Sequence, residues 1–212
     1  MKIHKAQWIW MSCSIAMLKN NEMKFALLCL ALGLIAGCAT APPANVDNIC
    51  QIFREKPRWY RYTLQSYKKW GVPVHVQMAI LHQESRYDGH ARPARKHFLG
   101  IPTVRPSSAY GYAQVKDETW DWYRRKTGHW TARRDDFEDA VDFVGWYGLQ
   151  TYLRLRISKW DAKNLYLAYH EGHGGYEQKT FQKKPWLIHV ADKVEYRARR
   201  FRKELATCRA SL

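Results

Sequence analysis

Acidic side chains are scarce in this chain: 19 Asp and Glu stand against 35 Lys and Arg, a formal charge of +16 over 212 residues. The imbalance favours a polyanionic partner, whether nucleic acid, anionic lipid or an acidic cell wall, and by itself does not choose among them. Zinc-finger cysteine spacing, an aromatic RNA-binding motif and a Gly-rich phosphate loop are all missing, so nucleic acid is not an expected partner. Strand-like alternation is rare and no internal repeat occurs. The longest apolar run is too short to span a bilayer as a helix.

What is present begins with aromatics, at 14% of the chain with ten Trp and thirteen Tyr. They suit either a groove for flat, partly apolar ligands such as sugars or a core poor in large aliphatics. Hydrophobic residues make up 46%, enough for one folded domain behind a leader.

The five cysteines, at 13, 29, 38, 50 and 208, bear on the compartment. Cys29 sits inside the apolar stretch from Phe25 to Ala36, which follows Lys24 and ends in Ile35-Ala36-Gly37-Cys38. A positive start, a short apolar core and small residues before a cut describe a secretory signal. The last four residues resemble a bacterial lipobox, in which Cys38 is lipidated and becomes the first mature residue. Ala39 after it resembles lipoproteins sent to the outer membrane, and residues 38–46 read as a small, flexible tether. On this reading residues 1–22 are an over-extended start, 23–37 the signal peptide and 47–212 the catalytic domain. Removing residues 1–37 takes away Lys2, Lys5, Lys19, Lys24 and Glu22, leaving +13. Cys50 and Cys208 then remain, able to pair across a long loop or to stay as free thiols.

The mature chain reads as all-α. A helical segment over 47–70 ends at Gly71-Val-Pro73, and Pro73 opens a helix through about Tyr87. Residues 89–109 read as a long functional loop. A short helix follows at about 117–126, stopping at Gly128. Asp135-Asp-Phe-Glu138 reads as a capping box opening a helix to about Ile157, with Phe137, Val141, Val144, Gly148, Tyr152 and Leu155 on its inner stripe. Further helices are expected at about 161–170, ending in Gly172-His-Gly-Gly175, and at about 187–206.

Chemistry concentrates in Gln77-Met-Ala-Ile-Leu-His-Gln-Glu84-Ser85. Gln77, Ile80, Leu81 and Glu84 share one helix face, so the carboxylate projects from the edge of a core stripe. Partial burial and the negative helix end both raise its pKa, and a Glu that stays protonated near neutrality can donate to a glycosidic oxygen. The plain alternative is an exposed Glu84 paired with Arg86.

Glu84-Ser85, Gly111-Tyr112-Ala-Gln114 and Ala168-Tyr169-His170-Glu-Gly172 occur in that order, and the set resembles the soluble lytic transglycosylase family. That resemblance implies a lysozyme-like, goose-type helical domain with a glycan-binding groove, acting on peptidoglycan strands without cofactor or metal. It implies that Glu84 is the acid and then the base, and that Ser85 orients Glu84 or the substrate's acetamido group. Gly111 would let backbone approach the glycan, beside Tyr112. Gln114 would bind a sugar or brace the loop, and Tyr169 would lie beside Glu84 with His170 in the site. The implied reaction closes a 1,6-anhydro ring on muramic acid and consumes no water, whereas glycan hydrolases pair two carboxylates.

Three features depart from the family pattern. His170 stands where Asn is usual, and 27 residues separate Glu84 from Gly111. The late Tyr-Val pair is replaced by His189-Val190, with Tyr196 as the nearest substitute. A muramidase using Asp88 or Asp117 as second carboxylate, and a wall-binding lipoprotein without catalysis, are the competing readings. His170, Glu171 and His173 lack His-Glu-x-x-His spacing, so no metal site is expected. A monomer is expected, with oligomeric state left open.

Overall fold

A computed structural model describes residues 41–95, 97–98 and 101–212, with 97, 98 and 101 by their backbone alone. The expected leader, the signal peptide and Cys38 lie outside the described residues.

The first helices are bounded by side chains that satisfy or remove end groups. Asn48 caps α1 (Ile49–Glu55) by accepting from the Gln51 amide at 3.0 Å. Pro57 sits in the first turn of α2 (Pro57–Trp70) and splits the single segment expected over 47–70, because a proline is tolerated there and not within a helix. Gly71 ends α2 in the left-handed region. Then comes α3 (Val74–Ser85), preceded by Pro73. Every residue of α3 from Val74 to His82 is buried, so this helix is enclosed by its neighbours rather than laid on a surface.

Loop 86–116 carries one two-residue antiparallel ladder, β1 (His97–Phe98) against β2 (Ile101–Pro102). Beyond it runs α4 (Asp117–Thr127), stopped at Gly128 as expected. The cap of α5 (Phe137–Leu155) falls one residue later than the expected box. Asp136, not Asp135, accepts from the Glu138 and Asp139 amides at 2.8 and 3.2 Å. Asp135 is used by Tyr110 and Arg133 instead. Phe137, Val141, Val144 and Gly148 face inward as expected, whereas Tyr152 is exposed, with Lys159 over its ring.

α6 (Ala162–Glu177) runs past its expected end at 170 and kinks at Gly172, where φ is 73°. α7 (Pro185–Cys208) closes the bundle, burying a stripe at Leu187, Ala191, Val194, Ala198 and Phe201. Both α6 and α7 pack on α3. α5 lies along α2 closely enough that a Cβ on Gly145 would strike the Ser66 hydroxyl, which donates to the Val141 carbonyl at 2.8 Å.

Cys50 and Cys208 form a disulfide, with Cα atoms 6.0 Å apart across 158 residues. It ties α1 to the end of α7. Residues read as tether also touch the domain: the Ala44 amide donates to Glu55, and Asn45 to Gln51. Asp47 is held by His82 at 3.1 Å and by Arg200 at 3.5 Å.

Most of the aromatic residues serve the core. Trp59 stacks on Phe137 with ring centroids 3.7 Å apart, and Tyr112 meets both edge-on. Tyr123, Phe143 and Trp146 form a second cluster between α4 and α5. Trp130, Trp160 and Trp186 stand exposed. The expectation that the aromatics line a groove or fill a core thus resolves mainly toward the core.

Candidate active site

The C-terminal end of α3 opens into a cleft of about 500 Å³. One wall is Ala109, Gln114 and Val115 of the loop with Thr119 of α4. Phe143 and Tyr147 of α5 and Tyr169, His170 and Glu171 of α6 also line it. Glu84 lies in it, part-buried in the last turn of the enclosed helix. Burial pushes its carboxyl up to about 7, against the opposing effect of one hydrogen bond, donated by the Tyr166 hydroxyl. Desolvation penalises the anion, and a single neutral donor does not offset it. The Glu84–Arg86 pair does not form: Arg86 takes a left-handed conformation at the helix end, and its charge acts on Asp47 and His82.

Glu171 faces the same cleft and is the opposite case. Its side chain is 3% exposed, yet Lys184 Nζ donates to both oxygens at 2.8 and 3.0 Å. Thr180 also donates, and His170 Nδ1 lies 3.0 Å away. Burial raises the pKa here too, but Lys184, Thr180 and His170 outweigh it and hold the carboxyl down at about 2. Of these two carboxyls, Glu84 is therefore an available acid near neutrality and Glu171 a locked anion.

The remaining expected site residues divide. Tyr169 lines the cleft close to Glu84, whose charge together with burial drives its pKa up, and its hydroxyl donates to the Ala113 carbonyl at 2.5 Å. His170 lines the cleft beside Trp186, with ring centroids 5.3 Å apart. Gln114 braces the loop, donating to the Ala91 and Gly111 carbonyls at 2.8 and 2.9 Å, and also borders the cleft. Ser85 turns its hydroxyl back toward the Leu81 carbonyl of its own helix at 3.4 Å.

Two assignments need correction. Tyr112 is 1% exposed in the Trp59–Phe137 cluster and does not line the cleft. Gly111, at φ 80°, is required by the protein's own backbone, since a Cβ would collide with the Arg134 carbonyl that accepts from the Tyr112 amide. Its close approach within the protein is to Arg134.

Asp88 and Asp117, weighed as second carboxylates, do not line the cleft. Asp88 accepts from the His90 amide at 2.8 Å, and Asp117 pairs with Arg134 at 2.8 Å. Glu118 and Glu171 border it instead. His173 turns away from His170 at the Gly172 kink and lies buried, 2.9 Å from Thr151 and stacked on Tyr147.

Tyr166 and Lys184 escaped the sequence reading. Tyr166 sits three residues before Tyr169, so both rings share a helix face. That spacing was available, but which carboxyl the face meets depends on how α6 packs on α3. Nothing local marks Lys184 as the partner of a residue thirteen positions earlier.

A family described as Transglycosylase SLT domain matches residues 26–208. The chain belongs to that family. The match spans all three motifs and the described helices, and the helical architecture agrees with a lysozyme-like SLT fold. Membership makes peptidoglycan the substrate class and lytic transglycosylation the activity that the SLT domain suggests. No curated protein sequence matches the chain.

Proposed function

We propose that the protein cleaves the bond between N-acetylmuramic acid and N-acetylglucosamine in peptidoglycan without water, with Glu84 as the only acid/base. The observation that carries this reading is the pairing of a desolvated Glu84, pushed up to about 7, with a Glu171 locked as an anion. In the first step the Glu84 proton passes to the glycosidic oxygen as the anomeric C–O bond breaks, with the muramic acetamido group assisting from its own sugar. Glu84, now a carboxylate accepting from Tyr166, then takes the proton of the muramic 6-hydroxyl. That oxygen closes on the anomeric carbon, and Glu84 returns to its protonated form.

Glu171 is a poor general base here, because its oxygens accept from Lys184 and Thr180. Tyr147 and Tyr169 flank the reacting end, and His170 and Trp186 extend a rim on which a sugar face can rest. One feature favours a hydrolytic variant: Glu118 borders the cleft and is exposed, able to activate water.

The lipobox-like Ile35-Ala36-Gly37-Cys38 supports an outer-membrane lipoprotein facing the periplasm, and the disulfide fits an oxidising compartment.

Digestion of purified sacculi by wild type and by Glu84→Gln, followed by mass spectrometry, tests the chemistry. The expected result is anhydromuropeptides from wild type alone. Reducing ends would transfer the reaction to hydrolysis and implicate Glu118, and binding without release would leave a wall-binding protein.

A further inference from the structure

A second concavity, of about 240 Å³, lies at the opposite end of α3 from Glu84. Val74 and His75, in the first turn of that helix, contribute to it, and the ten residue steps from Val74 to Glu84 span about 15 Å of helix axis. The two clefts share no lining residue.

Its chemistry is one-sided. The floor is apolar, from Leu64, Pro73, Val74 and Leu205, and no acidic residue lines it. Trp160 stands over it 51% exposed, its ring 5.4 Å from His75 and 5.3 Å from the Arg202 guanidinium. Arg209 provides a second guanidinium on the same rim. Among the described residues neither arginine has a carboxylate within ion-pair distance, whereas neighbouring Arg199 and Arg200 on the same helix are paired with Glu195 and Glu204. Half-exposed indole beside two unpaired guanidiniums matches a ligand with a flat apolar face and a carboxylate. Arginine binds carboxylates through its planar fork, and indole offers a face to an uncharged ring.

We infer that this concavity is a non-catalytic wall-binding site, in which Trp160 stacks on a sugar of a neighbouring glycan strand while Arg202 and Arg209 hold a stem-peptide carboxylate. The identity of the polymer rests on the proposed function above; the site does not depend on cleavage. The disulfide at Cys208 anchors the end of α7, which supplies Arg202 and leads directly into Arg209. Holding one strand here leaves the cleft at the far end of α3 free for another.

The test uses Glu84→Gln protein so that the polymer stays intact, with Trp160→Ala or Arg202→Gln added. Thermal unfolding checks that each variant is folded. Sacculus affinity is expected to fall about tenfold with Arg202→Gln, the loss from one charge-assisted hydrogen bond. Added salt should narrow the gap between the two proteins. On the active background, Trp160→Ala should release products from short soluble glycan fragments at the wild-type rate, and more slowly from sacculi. Equal sacculus binding by all folded variants would overturn the site. So would a loss confined to binding of phosphatidylglycerol vesicles, or a change of oligomeric state with sacculus binding intact. Failure of wild type to cleave, with binding still dependent on Trp160 and Arg202, would remove the proposed reaction and leave this site standing.

Discussion

Glu84 and Glu171 border one cleft, and their surroundings drive them in opposite directions. Glu84 ends a helix enclosed by its neighbours, has one neutral donor, and is pushed up to about 7. Glu171 lies against a helix kink within reach of a lysine, a threonine and a histidine, and is held down at about 2. Burial acts on both in the same sense. The difference is the number and charge of the donors, which shows that a buried carboxyl's role is set by its partners more than by its depth.

The comparison breaks most visibly at Glu84. Glu84→Gln should lower release from sacculi by about a hundred- to ten-thousandfold, the usual worth of a general acid/base, as read by muropeptide yield. Residual activity within threefold of wild type would remove Glu84 from the chemistry. The wild-type rate should also fall as pH rises through about 7, since only protonated Glu84 can donate.

Lys184→Met should cost about 1–3 kcal/mol in denaturant unfolding at neutral pH, because it leaves a buried carboxylate without its cation. The linkage sign follows from the depressed pKa of Glu171. Its contribution to stability is present above the ordinary carboxylate value of 4.5 and is lost as pH falls toward about 2. The stability difference between Lys184→Met and wild type should therefore shrink in acid.

Glu84 has the reverse sign. Its folded pKa lies above its unfolded value, so the folded protein is favoured at low pH and penalised as pH rises from about 4.5 through about 7. Glu84→Gln should thus stabilise the protein at pH 8 by about 1–3 kcal/mol and change little at pH 4, as read by chemical unfolding at the two values. An inactive variant that is no more stable at pH 8 would contradict the desolvated carboxyl.

The smallest expected effect sharpens the contrast further. Tyr166→Phe removes the one donor to the Glu84 anion, so the alkaline limb of the rate profile should move upward while the rate drops about tenfold or less. An unshifted limb would assign Tyr166 to packing alone.

Much of this was legible along the chain because it depends on neighbours in sequence. Helical periodicity, Pro73 beside a first turn, and Gly71 and Gly128 at helix ends are local matters of backbone geometry, and the break at Pro57, equally local, went unread. The apolar stripe above Glu84 is local too, and it placed the carboxyl at the edge of the core while leaving open an exposed Glu84 paired with Arg86. The choice of Asp136 over Asp135 as cap was not legible, because both have the right chemistry. It turned on Tyr110 and Arg133 claiming Asp135. Tyr112 was misread because its motif neighbours Gly111 and Gln114 lie at the cleft loop, while its own ring finds Trp59 and Phe137 from distant helices.

Sequence alone therefore determined the helical class, the position of Glu84 at the end of an apolar helix, and the cysteines free to pair. Tertiary structure alone decided that Tyr166 would meet Glu84 and that Lys184 would silence Glu171. It also set Trp160 beside Arg202. Periodicity orients a side chain on its own helix, but the field it feels comes from whichever helices pack against it.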